Sequence, residues 1–233
     1  MHGVIRTTQT VVTPPAVAPL DLAYARLHLK SISTAEDTLI SAWIEAAGHY
    51  FREQTGRPII TETRELWLDR FPRGRVRIEL PNPPLQSVVS VLYVNGDGDL
   101  ASFSDGGSPD APSYAVKAPE GIYATPGWIE PIAGMCWPTA RCESGAVRIQ
   151  YTCGYADAAT DVPELLKGIL CFLVSHYDQF RSAVHAEMRT SVTVLPLGVQ
   201  AMMDGFKYSA LPSSVLRDDV WPSSWVPWGE TWR

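Results

Sequence analysis

Two amphipathic stretches bracket a long middle segment that never holds a helical period, and that order limits the folds open to this chain. In the first stretch Leu39, Ile40, Trp43, Ile44, Ala47 and Phe51 recur at the i, i+3, i+4, i+7 spacing of one buried helix face. Ser33 and Glu36 stand ahead of it as an S-x-x-E capping box. Gly56 supplies a left-handed residue behind it, and Pro58 prevents the helix from resuming. The spacing predicts a helix of roughly five turns. In the second stretch Asp161-Val162-Pro163-Glu164 reads as another capping box with proline in the first turn. Val162, Leu165, Leu166, Ile169, Leu170, Leu173, Tyr177 and Phe180 are its expected buried stripe.

Each long helix has a short companion. One starts at Asp21 as N-cap, with Leu22, Ala25, Arg26, His28 and Leu29 marking its turns. The other spans Gly198 to Tyr208, with Val199, Met202, Met203 and Phe206 expected inward. Between the helical pairs the chain alternates apolar and polar residues at 61–69 and 76–80, runs apolar at 88–94, and alternates again at 147–152. Tyr114 to Lys117 and Ile122 to Ala124 are further short strand candidates, and Pro81, Pro83 and Pro84 make a rigid corner. The expected fold is therefore α+β. A four-helix bundle is built from both ends of the domain, a β region is inserted between them, and both termini extend as arms. The expected segments are an N-terminal arm at 1–19, the first part of the bundle at 20–58, the inserted β region at 59–159, the second part of the bundle at 160–210, and a C-terminal arm at 211–233. Pro14, Pro15 and Pro19 keep the first arm extended, and its Val/Thr content suits an added strand.

Composition removes several function classes. Hydrophobic residues make up 45% and charged residues 19% of the 233, which are globular proportions. The formal net charge is −6, so the chain has no overall electrostatic footprint for gripping phosphates. It has no polybasic run for a membrane surface, and no stretch approaches the ~20 apolar residues of a spanning helix. The N-terminus lacks the apolar core and cleavage site of a secretory signal. Cys136, Cys142, Cys153 and Cys171 form no C-x-x-C pair and read as free thiols of a reducing compartment, with a Cys136–Cys142 disulfide as the alternative.

The candidate chemical motifs are weak. Gly96-Asp97-Gly98-Asp99-Leu100-Ala101 matches a dinucleotide pattern, but the SFSDGGSPDAP run behind it cannot open the helix that the mechanism requires, so it reads as a hairpin turn after Asn95. Asn95, Asp97 and Asp99 mimic the start of a calcium loop, but its sixth and twelfth places hold Leu100 and Gly106 instead of Gly and Glu. His49 and His176 lie on predicted helices and His185 in a polar loop, none with a neighbour that would build a nucleophile relay or a metal pair. No metal, cofactor or catalytic residue is expected.

The positive signal is the C-terminal arm. Of the eight tryptophans, Trp221, Trp225, Trp228 and Trp232 recur every three or four residues, interleaved with Pro222 and Pro227. The prolines rule out a helix stripe. Tryptophan joins a large apolar area to an N–H donor and is enriched at interface hot spots, and a proline-stiffened arm loses less entropy on docking. These six residues are the expected protein interface.

Four stretches, taken in order, resemble the head–tail connector, or adaptor, family of long-tailed phages and gene transfer agents. They are AEDTLISAWIEAAGHYFREQTGRPIITET, LPNPPLQSVVSV, VRIQYTCGYA followed by DVPELLKGIL, and LPLGVQAMM, and the resemblance covers about residues 20 to 208. The resemblance implies a structural virion protein of the neck, assembled in a bacterial cytoplasm. It implies a ring of identical subunits, a dodecamer, that joins the portal to a stopper or tail terminator. DNA would pass through its lumen without specific binding, and no membrane would be involved. The loop region 104–145 and the Trp-rich tail extend past the family pattern. Two readings from other classes stay open on the sequence: a calcium- or carbohydrate-binding β module, drawn from Asn95, Asp97, Asp99 and the surplus tryptophans, and an enzyme assembled from dispersed residues.

Overall fold

The computed structural model describes residues 7–31, 33–103, 114–180 and 197–207. Within these the chain is α+β, with four helices and two antiparallel sheets. The helices are α1 (Leu22–Leu29), α2 (Asp37–Thr55), α3 (Glu164–Gln179) and α4 (Leu197–Asp204). The strands are β1 (Thr7–Thr13), β2 (Glu62–Leu68), β3 (Ile78–Leu80), β4 (Leu85–Val94), β5 (Leu100–Ser102), β6 (Tyr114–Lys117), β7 (Gly127–Pro131) and β8 (Val147–Cys153).

The caps explain most helix boundaries. Asp21 Oδ1 accepts from the Ala23 N–H at 2.8 Å and starts α1. Ser33 caps a single 3₁₀ turn (Thr34–Glu36), accepting from Ala35 N–H at 3.1 Å, and α2 follows from Asp37. Gly56, at φ 71°, ends α2 by donating to the Arg52 carbonyl at 2.8 Å, a conformation that costs glycine nothing. The box expected ahead of α3 does not form. Val162 and Pro163 are both extended, at ψ 132° and 137°, so the helix opens only at Glu164. Asp161 is left in a preceding 3₁₀ turn, accepting from Thr160 Oγ1.

Two cores form. The helical core draws on both ends of the described chain: Leu20, Ala25, Ile40, Ile44 and Phe51 meet Leu166, Ile169, Leu173, Val199, Met203 and Phe206. The β core lies between a five-stranded sheet ordered β1-β2-β8-β4-β5 and a three-stranded sheet ordered β3-β7-β6. β8 is central, with Val147, Ile149, Tyr151 and Cys153 facing inward at the period of two that a half-buried strand requires. Phe71, Phe103 and Trp137 close that core, the Phe71 and Trp137 rings stacked with centroids 5.0 Å apart.

Two local expectations differ, and the strand expected of the N-terminal arm finds its partner. Ile122 to Ala124 is a turn, not a strand, with Ala124 N–H donating to the Gly121 carbonyl. β7 is a strand although it begins with glycine and ends with proline, because β3 and β6 hydrogen-bond to both its edges. The Val/Thr segment of the N-terminal arm adds its strand to this chain's own sheet, with Gln9 opposite Leu66 and Val11 opposite Arg64.

Candidate interaction surfaces

Trp221, Trp225, Trp228, Trp232, Pro222 and Pro227 lie outside the described residues, as does His185. The calcium-like segment is described, and its geometry is that of a turn. Asn95 Oδ1 accepts from the N–H groups of Asp97 at 3.0 Å and Asp99 at 2.9 Å, so the oxygen a cation would need holds the backbone instead. Gly98, at φ 96°, completes the hairpin, and β5 rather than a phosphate-binding helix comes next. Among the described residues no group of three or more His, Cys, Asp or Glu could hold a metal ion, and no helix is long and apolar enough to cross a membrane.

The described histidines serve neighbours within the helical layer. His49 Nδ1 meets Arg52 Nη2 at 3.2 Å, and His176 packs its ring on Phe180 with centroids 4.8 Å apart. All four cysteines are free thiols. Cys136 and Cys142 are exposed, whereas burial pushes the Cys153 thiol up to about 12 and Cys171 up to about 11. A thiol held so far above neutrality carries negligible thiolate and is a poor nucleophile.

A buried polar joint ties the helical layer to the β region. Glu62, fully buried at the head of β2, accepts from Arg64 Nε at 2.5 Å and from Arg52 Nη1, reaching over from α2, at 3.2 Å. Arg64 Nη1 also donates to Asn82 Oδ1 at 3.0 Å, and Asn82 Nδ2 donates to the Gly56 carbonyl at 2.7 Å. From β1 the Gln9 amide reaches both Asn82 Oδ1 and the Tyr151 hydroxyl, and Tyr151 Oη donates to the Pro81 carbonyl at 3.0 Å. Burial drives the Tyr151 hydroxyl strongly upward, so it stays a neutral donor. Beside this joint the Pro14–Pro19 segment and α2 enclose a cleft of about 490 Å³, lined by Pro14, Val17, Gly48, His49, Arg52 and Glu62 among others. The Glu62 carboxylate is already matched by two guanidinium groups, and the other walls are mainly apolar apart from Glu45 and His49.

A second surface lies on the outside of the helical layer. Leu27 of α1 is 79% exposed, and Tyr24 one turn before it is also exposed. On α3, Leu165 is 41% and Phe172 46% exposed. This corrects the stripe read from the sequence for Leu165, as it does for Met202 on α4 and Leu39 on α2, which are likewise exposed. Of the adjacent Leu165 and Leu166 the core takes Leu166 and leaves Leu165 at its margin. The recurrence of Leu165, Phe172 and Gln179 every seven residues was the signal that would have found this second face.

No known protein family matches the chain, and no curated protein matches it. Solved structures do. A chain in the neck of an empty gene transfer agent particle, computed with C6 symmetry, is similar at a TM-score of 0.65 and 20% identity, over 88% of this chain and 97% of that one. A chain in the virion of a native gene transfer agent particle is similar at 0.67 and 21% identity, with the same coverage. A chain in the neck of a native particle, computed with C12 symmetry, is similar at 0.64 and 20% identity, again with the same coverage. The fold, helical layer and β region together, is therefore that of chains found in gene transfer agent particles.

Proposed function

We propose that this chain is a structural subunit of a virion neck in a tailed phage or gene transfer agent, and that it acts by binding other subunits rather than by catalysis. The observation that carries the reading is the near whole-length likeness of fold to neck chains, over 88% of this chain and 97% of theirs. A shared helical core alone is common to many proteins, but a helical layer made from both chain ends around this inserted pair of sheets is a far narrower architecture.

In its finer form the reading is a head–tail adaptor. The helical layer acts as one four-helix bundle, and identical copies form a dodecameric ring. The ring sits on the portal, carries a stopper or tail terminator, and lets DNA pass through its lumen without specific binding. The acidic balance suits a channel that must release DNA. The Trp/Pro arm supplies anchoring contacts to a neighbouring protein. The side-chain chemistry supports binding over catalysis, since the buried thiols are inert and the buried carboxylate Glu62 is matched by two arginines.

The test is co-expression with the cognate portal, followed by affinity purification and electron microscopy. A ring of this chain stacked on the portal is the expected result. Virions whose necks lack the chain, together with no portal complex, would overturn the reading.

A further inference from the structure

The cleft beside the polar joint has a rim that is fixed at both ends. That rim is the run from Pro14 to Pro19. At one end Thr13 pairs with Thr63 of β2. At the other, Pro19 lies so close to α2 that a Cβ added at Gly48 would come within 2.7 Å of its Cγ. Between these anchors Pro14, Pro15 and Val17 are exposed, so the run presents prolyl rings and an aliphatic side chain at the cleft. Glu45 and His49 of α2 face it, and Pro58 and Ile59 extend the apolar lining. At about 490 Å³ the cleft falls within the roughly 300–1,000 Å³ of sites that enclose a drug-sized molecule, and an indole ring is smaller than that.

We propose that in the free chain this cleft seats tryptophans of the chain's own C-terminal arm, 211–233. Position selects that occupant first. The Phe206 carbonyl, just beyond α4, accepts from Arg57 at 2.7 Å, and the next residue after Arg57, Pro58, lines the cleft. The segment from Lys207 to Trp221 extends to about 50 Å at full stretch, ample to bring the arm over the rim. Composition selects it again. Of the segments outside the described residues, 1–6, 104–113, 181–196 and 208–233, only the last contains Trp, Tyr or Phe. Prolyl rings and aromatic side chains pack face to face, as when proline-rich ligands dock in aromatic grooves. Here the cleft brings the prolines and the arm brings the aromatics, and Glu45 offers an indole N–H a carboxylate acceptor. Four uncovered tryptophans would present about 150–250 Å² each, together more than the roughly 300–600 Å² patch of a typical soluble monomer. The tether decides between the chain's own arm and that of a second copy. A short flexible linker gives an effective concentration of about millimolar, which free copies at micromolar concentration do not match. The seat concerns the free chain and stands apart from the neck reading. A neighbouring protein that anchors the arm has to displace it from this cleft.

The test places the photocrosslinker p-benzoylphenylalanine at position 17 of the full-length chain and, separately, at position 16, so that a probe blocking entry at one site is recognised by the other. A dilute equal mixture of unlabelled and nitrogen-15-labelled copies is irradiated, and the products are mapped by mass spectrometry. The expected product joins the rim to residues 211–233 within one copy, so both peptides of each pair carry the same label. The same probe at position 27, on the outside of α1, should not give it. Trp221→Ser, Trp225→Ser, Trp228→Ser and Trp232→Ser together should lower the yield about tenfold, the ratio set by burial of one aromatic ring, and the four Trp→Phe changes should preserve most of it. Pairs of mixed label would give the cleft to a second copy and overturn the proposal. Products within 181–196, no product from either rim position, or a yield unchanged by the serine variant would overturn it as well.

Discussion

Arg57 Nε donates to the backbone carbonyl of Phe206 at 2.7 Å, across 149 positions of sequence. The same guanidinium donates from Nη1 to the Ala124 carbonyl at 2.8 Å and to the Tyr155 hydroxyl at 3.2 Å. One buried side chain thus holds the end of α2, a turn of the β region and a residue just beyond α4. Tyr155 completes the arrangement by donating to the Ile122 carbonyl at 2.7 Å.

Arg57→Met should leave those carbonyls buried without donors, at roughly 1–3 kcal/mol for each group stranded. With two carbonyls stranded, urea unfolding should show a loss of about 2–6 kcal/mol. Limited proteolysis should show faster cleavage near α4, whose anchor has been removed. Tyr155→Phe should cost about 1 kcal/mol, since it removes a single hydroxyl. Equal effects of the two changes would mean that Arg57 is not the anchor.

Glu62→Ala removes the shared partner of Arg52 and Arg64 and leaves two poorly solvated guanidinium groups facing each other. Breaking a buried pair in this way costs about 3–5 kcal/mol. Chemical denaturation should show it, and the second-site change Arg64→Met should recover part of the loss. A cost below about 1 kcal/mol, the range of exposed pairs, would mean that the joint is solvated.

Cys153 supplies a pH dependence with a definite sign. Burial is the main cause that lifts its thiol from an ordinary value of 9.0 to about 12, with Glu62 adding to the rise and Arg64 opposing it. Above the ordinary value the unfolded chain has lost this proton while the folded chain keeps it, so stability falls as pH rises from about 9 to about 12. Below that window the group contributes no slope. The melting temperature of Cys153→Ala should decline less steeply over the same range. In the native protein a thiol reagent near neutral pH should label Cys136 and Cys142 only, with Cys153 and Cys171 reacting after denaturation.

Truncation after Ser209 removes Trp221, Trp225, Trp228 and Trp232 together with Pro222 and Pro227. The helical core already contains Val199, Met203 and Phe206, so the shortened chain should fold with a melting temperature close to that of the full chain. Its assembly onto the portal should be lost. Circular dichroism and co-purification measure the two outcomes separately. An unfolded truncation product would make the tail part of the core.

Local periodicity was legible wherever a segment's neighbours merely confirm its own pattern. α2 follows from Ile40, Ile44, Ala47 and Phe51, and β8 from the alternation of Val147, Ile149 and Tyr151. β7 was hidden, because Gly127 and Pro131 at its ends argue against a strand and only the flanking strands override them. Ile122 to Ala124 erred in the other direction. Its apolar residues suit a strand, but their carbonyls are taken by Tyr155 and Arg57, which no local pattern announces.

The outward face of the helices shows the same limit. An apolar stripe gives the direction of a core but not where that core stops. Whether Leu165 or Leu166 is covered depends on how far neighbouring helices extend over α3, and Leu166 is the one covered.

By itself the sequence determined the α+β class, the two long helices and the alternating strands, because turn residues, caps and periods of 3.6 and 2 act within a few positions of one another. Only the tertiary structure decided that Gln9, Glu62, Asn82 and Tyr151 meet in one joint, that Arg57 holds Phe206, and that Leu27 and Phe172 are left uncovered. These depend on which distant backbone atoms and apolar faces come together. That is a property of packing across sequence separations of up to 149 residues, and no local pattern carries it.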